Sequence, residues 1–243
     1  MTVSCLPLLA LRSPHQPISA LALVHQRPAL ICAAAFDPGE CASWVHAIHA
    51  ARRDWTPNFD GLQFTLGNAW YTYLEEGRSD EYFAAAERSN ALVARTVPGL
   101  AERMLEVLSL VVAENVSLRA GWCGPGVHVF PAGGWVAEHG GDRHCDVEGL
   151  LAPELAAGAH ALTLVLGLQQ PEARGGLRFF AENYGQAPAS DGESSVTVAL
   201  SPGDLVCFES YRMHQIEPFD GARDRITATV HAVRTAAGWQ AWF

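Results

Sequence analysis

The sequence predicts a mainly β protein, a jelly roll carrying a layer of helices supplied by its N-terminal half. Two observations predict it. Up to about residue 115, apolar residues recur at helical spacing; after "GWCGPG", residues 121–126, they fall into short β-rich runs parted by glycine, proline and polar clusters. Closely spaced runs of that kind suggest antiparallel strands arranged as a sandwich or barrel.

The elements follow in order. The apolar opening "MTVSCLPLLALRSPHQPISALALVHQ" is interrupted by Pro7, Arg12, Pro14 and Pro17 and lacks the basic start of a secretory signal. In "FDPGECASWVHAIHAARRDW", Asp37 can cap a helix with Pro38 at its first position, and Cys41, Trp44, Val45, Ile48 and Ala51 share a face. A second helix opens at Ser79 and closes before Pro98. The third runs from Pro98 to about Glu114, with Leu100, Met104, Leu105, Leu108 and Val112 on one side. Strands are expected at "VHVFP", "HALTLVLGL", "GGLRFF", "SSVTVAL", "DLVCFE" and "RITATVHAV". With no internal repeat and no clear linker, the expectation is one domain over 1–243, helical support at about 37–115 and a β core at about 127–235.

Composition narrows the function. Hydrophobic residues make up 49% and charged residues 17%, as in a chain that folds compactly. The formal net charge is -10 and all 16 basic residues are arginine, which argues against a nucleic-acid partner. No run reaches membrane-spanning length. Cys5, Cys32, Cys41, Cys123, Cys145 and Cys207 form no CxxC pair, so reduced thiols in a cytoplasmic protein are expected.

The chemistry concentrates in the β half. In "GGDRHCDVEG", His144 and Asp146 are two apart and would point the same way from an extended segment. Taken alone, such a pair is more often loop polarity than ligation. His214 follows after several strands. Two imidazoles and one carboxylate on one face of a metal leave open positions, the arrangement used by non-haem Fe(II) oxygenases. Downstream, Arg225, Thr227 and Thr229 share one face of "RITATVHAV". An arginine buried there needs an anion, and a dicarboxylate would supply one. Arg223 lies on the same strand parity and two after Gly221, so it is the other candidate anchor. His139, followed by Gly141, gives an alternative His-x-Gly metal segment.

The ordered string "VHVFPAGG", "HCD", "GGLRFF", "SPGDLVCFES", His214, "EPFDGARDR" and the closing strand resembles the 2-oxoglutarate and Fe(II)-dependent oxygenases, particularly the prolyl-hydroxylase-like branch. The resemblance covers roughly residues 127 to 235. It implies a double-stranded β-helix, His144, Asp146 and His214 as iron ligands, and Arg225 with Thr227 holding the distal carboxylate of 2-oxoglutarate. It further implies O2 as oxidant, release of succinate and CO2, and hydroxylation of the substrate. Halogenation, desaturation and ring closure share the opening steps, and His139-x-Gly141 would suit the halogenases. Two departures stand out: Leu177 where many relatives carry glutamate, and Phe130 where a tyrosine often contacts the cosubstrate.

With no extra recognition domain evident, a small-molecule substrate is expected, such as an amino acid or biosynthetic intermediate. Trp122, Trp135 and the aromatics of "NAWYTYLEE" are pocket or core residues; Arg143, Arg212 and Arg223 are substrate anchors or surface charges. Cys145 sits between two proposed ligands and would face the other way, as packing. The rival reading is a cupin-like metal-binding jelly roll without redox chemistry.

Overall fold

A computed structural model describes residues 1–7, 19–186 and 194–243, so Arg12, Pro14 and Pro17 lie outside the described residues. Chain order runs β1 (Ser4–Pro7), α1 (Ala20–Gln26), β2 (Leu30–Ala33), α2 (Pro38–Ala50), β3 (Thr56–Asn58), β4 (Gln63–Leu66), α3 (Trp70–Glu75), α4 (Ser79–Thr96) and α5 (Leu100–Val112). There follow β5 (Val116–Leu118), β6 (Gly126–Phe130), α6 (Trp135–His139), α7 (Ala152–Ala156), β7 (Ala161–Gln169), β8 (Ala173–Arg174) and β9 (Leu177–Asn183). The chain closes with β10 (Ser195–Val198), β11 (Leu205–Glu209), β12 (Arg212–Ile216), β13 (Phe219–Asp220), β14 (Arg225–Thr235) and β15 (Gly238–Trp242).

The helices form where apolar spacing and caps place them. Asp37 accepts a hydrogen bond from the Glu40 backbone N–H at 3.0 Å, capping α2, which buries Cys41, Trp44 and Ile48. Such a cap is worth about 1 kcal/mol. The third helix starts at Leu100 rather than Pro98, because Gly99 takes a left-handed turn with φ of 81° just before it. Its buried stripe is Leu100, Met104, Val107, Leu108, Val111 and Val112, with Leu105 at the margin.

The large sheet has ten strands, along the order β1-β2-β11-β7-β14-β6-β4-β3 with β15 and β5 joined at β14. A small sheet has the order β10-β9-β12. His144 adds one more rung, bridging antiparallel to His214. From residue 126 onward the chain alternates between layers: β6 in the large sheet, His144 in the small, β7 large, β9 and β10 small, β11 large, β12 small, β14 large.

The N-terminal half is less exclusively helical than its sequence suggests. It also contributes β1, β2, β3 and β4 to the large sheet. None exceeds four residues, too short for alternation to separate a strand from a buried helical turn.

Side-chain alternation divides the core. One face of the large sheet, including Leu164, Leu166, Leu205 and Val230, packs on Trp44, Ile48, Met104 and Leu108 of the helices. The other face, through Val165, Val206 and Phe208, meets Leu177, Phe179 and Val198 of the small sheet. Each such side chain contributes about 1.5–3 kcal/mol by burial. Thr163, Arg225, Thr227 and Thr229 share parity with this second face and open onto the space between the layers.

Candidate active site

The segment carrying His144 and Asp146 is pinned along β12. The Gly141 N–H donates to Ile216 O at 3.0 Å, and His144 and His214 exchange both backbone hydrogen bonds, at 3.0 and 2.9 Å. Gly140 has φ of 80°, and a Cβ there would come within 2.6 Å of Ile216 O. The first glycine of the "GG" is thus required by the close approach of two backbones. The β12–β9 pairing shifts register between Arg212 and His214, the residue that bridges to His144.

The outcome is convergence. Donor atoms of His144, Asp146 and His214 lie within 4.8 Å of one another. The two Nε2 atoms each stand 3.5 Å from an Asp146 oxygen, Oδ1 for His144 and Oδ2 for His214. On the outer edge of each ring, Nδ1 donates to a backbone carbonyl, Asp142 O at 2.7 Å and Arg212 O at 2.9 Å. That places a proton on each Nδ1 and turns both Nε2 atoms inward, where a metal would bind the lone pair of His214 directly and that of His144 once its Nε2 proton is displaced. Cys145 points away and donates to Tyr211 O at 3.2 Å, and burial raises its thiol to about 11.

Behind the carboxylate sits a hydroxyl node. Thr163 Oγ1 lies 2.7 Å from Asp146 Oδ2, 3.0 Å from Ser210 Oγ and 3.0 Å from His231 Nδ1. The carboxylate only accepts, so Thr163 donates to it and receives from Ser210 and His231. Burial opposes ionisation of Asp146, but His214, His144 and His231 overcome it and hold the carboxyl well below the ordinary range. Burial lowers His214 to about 4; for His144 burial is outweighed by the Asp146 hydrogen bond and charge, which raise it to about 9.

The three residues open onto a cavity of about 390 Å³, within the size range of small-ligand sites. Arg225 lines it at 3% exposure, and Thr227 and Thr229 line it beside Arg225. The guanidinium lies 5.2 Å from the Phe130 ring and has no ion-pair partner among the described residues; its Nε is buried without a hydrogen bond. Burial alone drags its pKa down to about 10. Leu177 lines the same cavity.

The other candidates fall elsewhere. Arg223 is exposed and off the cavity wall; His139 is exposed and stacks on Trp135 at 3.8 Å. Arg143 pairs with Glu182 and covers Phe180, while Arg212 donates to Ala181 O. Trp70 and Trp122 belong to an aromatic cluster with Tyr82, but Tyr71 and the exposed Trp135 line the cavity. Sequence reasoning missed Thr163, His231 and His128. A signal existed: His231 shares the strand parity of Arg225, and His128 that of Phe130.

No protein family's sequence profile matches the chain, and no curated protein matches it by sequence. Solved structures do match in fold. The non-heme alpha-ketoglutarate-dependent epimerase SnoN from nogalamycin biosynthesis superposes with a TM-score of 0.55 at 14% identity, over 88% of this chain and 84% of that one. An N-substituted L-amino acid dioxygenase from Burkholderia ambifaria AMMD, also solved with alpha-ketoglutarate, gives 0.56 at 16% identity, over 97% and 91%. The non-heme alpha-ketoglutarate-dependent carbocyclase SnoK gives 0.58 at 15%, over 88% and 83%. The chain therefore has the fold of the alpha-ketoglutarate (2-oxoglutarate)-dependent non-haem enzymes, mostly β-sheet with several helices. Among the described residues no helix is long and apolar enough to cross a membrane.

Proposed function

We propose that this protein is a non-haem Fe(II), 2-oxoglutarate-dependent oxygenase of the prolyl-hydroxylase-like branch, built on one double-stranded β-helix domain and hydroxylating a small molecule. His144, Asp146 and His214 would hold the iron; Arg225 and Thr227 would hold the distal carboxylate of 2-oxoglutarate. The observation that carries this reading is Arg225: a buried guanidinium without a counter-ion, on the wall of the cavity that also holds the triad. An unpaired buried charge is costly enough that a cognate anion is its natural explanation. A cupin-like binder would leave that cation unexplained.

The donor set fits ferrous iron: two neutral imidazoles and one carboxylate, with no thiolate among them. When bound, iron with 2-oxoglutarate and O2 supplies an oxidant for C–H bonds, with succinate and CO2 as co-products. The chain's own residues orient and enclose. The backbone carbonyls of Asp142 and Arg212 fix the imidazoles, Thr163 fixes the carboxylate, and Phe130, Val165 and Leu177 keep the cavity wall apolar. Asp146 supplies the carboxylate that a halogenase of this fold lacks, which favours hydroxylation over halogenation. Six free cysteines suit a reducing compartment, the cytoplasm.

The test is succinate formation from 2-oxoglutarate in air with added Fe(II). Slow uncoupled turnover is expected in the parent protein and none in Asp146→Ala. Equal rates in the two, or no succinate at all from iron-loaded protein, would sink the reading.

A further inference from the structure

The cavity is electrically lopsided. Arg225 is the one basic aliphatic-stem side chain among the described residues on its wall, whereas Glu75, Asp142 and Glu148 also line it. Neither Glu75 nor Glu148 has an ion-pair partner among the described residues, although ion pairs occupy Glu40, Glu76, Glu81 and Glu154 elsewhere. Glu75 stands one helical turn after Tyr71 on α3, so both project to the cavity side. Glu148 comes from the loop after Asp146; burial and the Asp146 charge raise its carboxyl to about 7, and Glu75 adds a smaller push in the same direction.

A second polar group lining the cavity lacks a partner. His128, on β6, lines the cavity at 6% exposure and its Nδ1 has no hydrogen-bond partner. Burial drives its pKa down to about 3, so it is a neutral ring. It stands 5.8 Å from Tyr71, whose hydroxyl accepts a hydrogen bond from Gln63. A buried polar ring beside a tyrosine, with two carboxylates elsewhere on the same wall, offers acceptors and negative charge, and the one guanidinium of the wall is the Arg225 committed to the cosubstrate. Phe59, Tyr71 and the half-exposed Trp135 add aromatic faces.

We infer that this compartment binds its substrate through an ammonium group, with Glu75 and Glu148 as counter-charges and Phe59, Tyr71 and Trp135 as the aromatic wall. The inference rests on the oxygenase reading, which commits Arg225 to 2-oxoglutarate. A cation gains from both the carboxylates and the ring faces. An anion meets three carboxylates and finds the guanidinium already engaged. A free α-amino acid is disfavoured for that reason, since its own carboxylate would have no partner; an amine without a neighbouring acid fits.

The experiment compares three probes of one shape, cyclohexylmethylamine, cyclohexylmethanol and cyclohexanecarboxylate. Each is titrated calorimetrically, without air, into protein holding Fe(II) and 2-oxoglutarate. The amine should bind at least about tenfold more tightly than the alcohol, and the carboxylate more weakly than either. The E75Q/E148Q double variant should bring the amine-to-alcohol ratio close to one. Glu75 lies exposed at the end of α3, so E75Q alone leaves folding untouched and should reduce the ratio several-fold.

Equal binding of amine and alcohol, an undetectable amine, or a ratio unchanged in both variants overturns the inference. The visible band of the Fe(II)–2-oxoglutarate complex, read on the same sample, separates the two claims. A band with no amine preference refutes the ammonium site alone; an amine preference without the band refutes the oxygenase reading alone.

Discussion

Replacing Arg225 with methionine should move stability and cosubstrate affinity in opposite directions. The guanidinium is 3% exposed and has no ion-pair partner among the described residues; burial depresses its pKa from 12.5 to about 10. A displacement of that size corresponds to roughly 3 kcal/mol of unfavourable burial. The penalty applies throughout neutral pH, because it is present below the folded value and relieved only as pH rises through it. The Phe130 ring at 5.2 Å returns about 1 kcal/mol as a cation–π contact. Arg225→Met should thus stabilise the ligand-free protein by about 2 kcal/mol, a rise of roughly 4–8 °C in Tm for a chain of this size. On the proposed assignment the same change would remove a desolvated, charge-assisted pair with 2-oxoglutarate. That loss is about 2–5 kcal/mol, or roughly thirty- to several-thousand-fold in Kd. Differential scanning fluorimetry with and without 2-oxoglutarate reads both effects. A variant that melts lower without ligand and keeps its 2-oxoglutarate affinity would refute the reasoning, since Arg225 would then be a paired structural residue.

Other outcomes follow from the same geometry. Thr163→Val removes the donor to Asp146 Oδ2 and the acceptor for His231 and Ser210; Fe(II) affinity should fall about 10–100-fold, with Thr163→Ser restoring it. Equal affinity in Val and Ser variants, measured by competition with a chelator, contradicts this. His144 is raised to about 9 in the metal-free protein, so a bound metal must displace its proton. Metal affinity should therefore climb about tenfold per pH unit from pH 6 and flatten above pH 9, with about one proton released near pH 7. A flat profile would place the neutral imidazole in the free protein already. Leu166→Ala, on the face packed against the helices and away from the cavity, should cost about 2–5 kcal/mol in urea unfolding without altering metal affinity.

Much of the site was legible because its residues obey strand parity and order. His144, Asp146 and His214 come from two segments that a single antiparallel rung ties together, and Arg225, Thr227 and Thr229 from one face of one strand. The choice between His139 and His144, or between Arg223 and Arg225, was open in one dimension. What separates them is depth: Arg223 precedes the strand and is exposed, and His139 ends a short helix outside the cavity. Helices α2, α4 and α5 were legible from caps and spacing. Strands β1–β4 were not, because runs of four residues or fewer carry no usable period. The acidic side of the cavity was equally hidden. Glu75 and Glu148 lie on a helix end and a loop far apart in sequence, and their proximity is a product of tertiary packing.

The central claim is that one cavity holds Fe(II) on His144, Asp146 and His214 and 2-oxoglutarate on Arg225. Anaerobic visible absorption tests it most directly. Adding Fe(II) and then 2-oxoglutarate to metal-free protein should produce a charge-transfer band that requires both additions. Asp146→Ala and His214→Ala should abolish it, His139→Ala should leave it in place, and Arg225→Met should demand far more 2-oxoglutarate. No band from folded, iron-binding protein would contradict the account and favour a metal-binding jelly roll without redox chemistry.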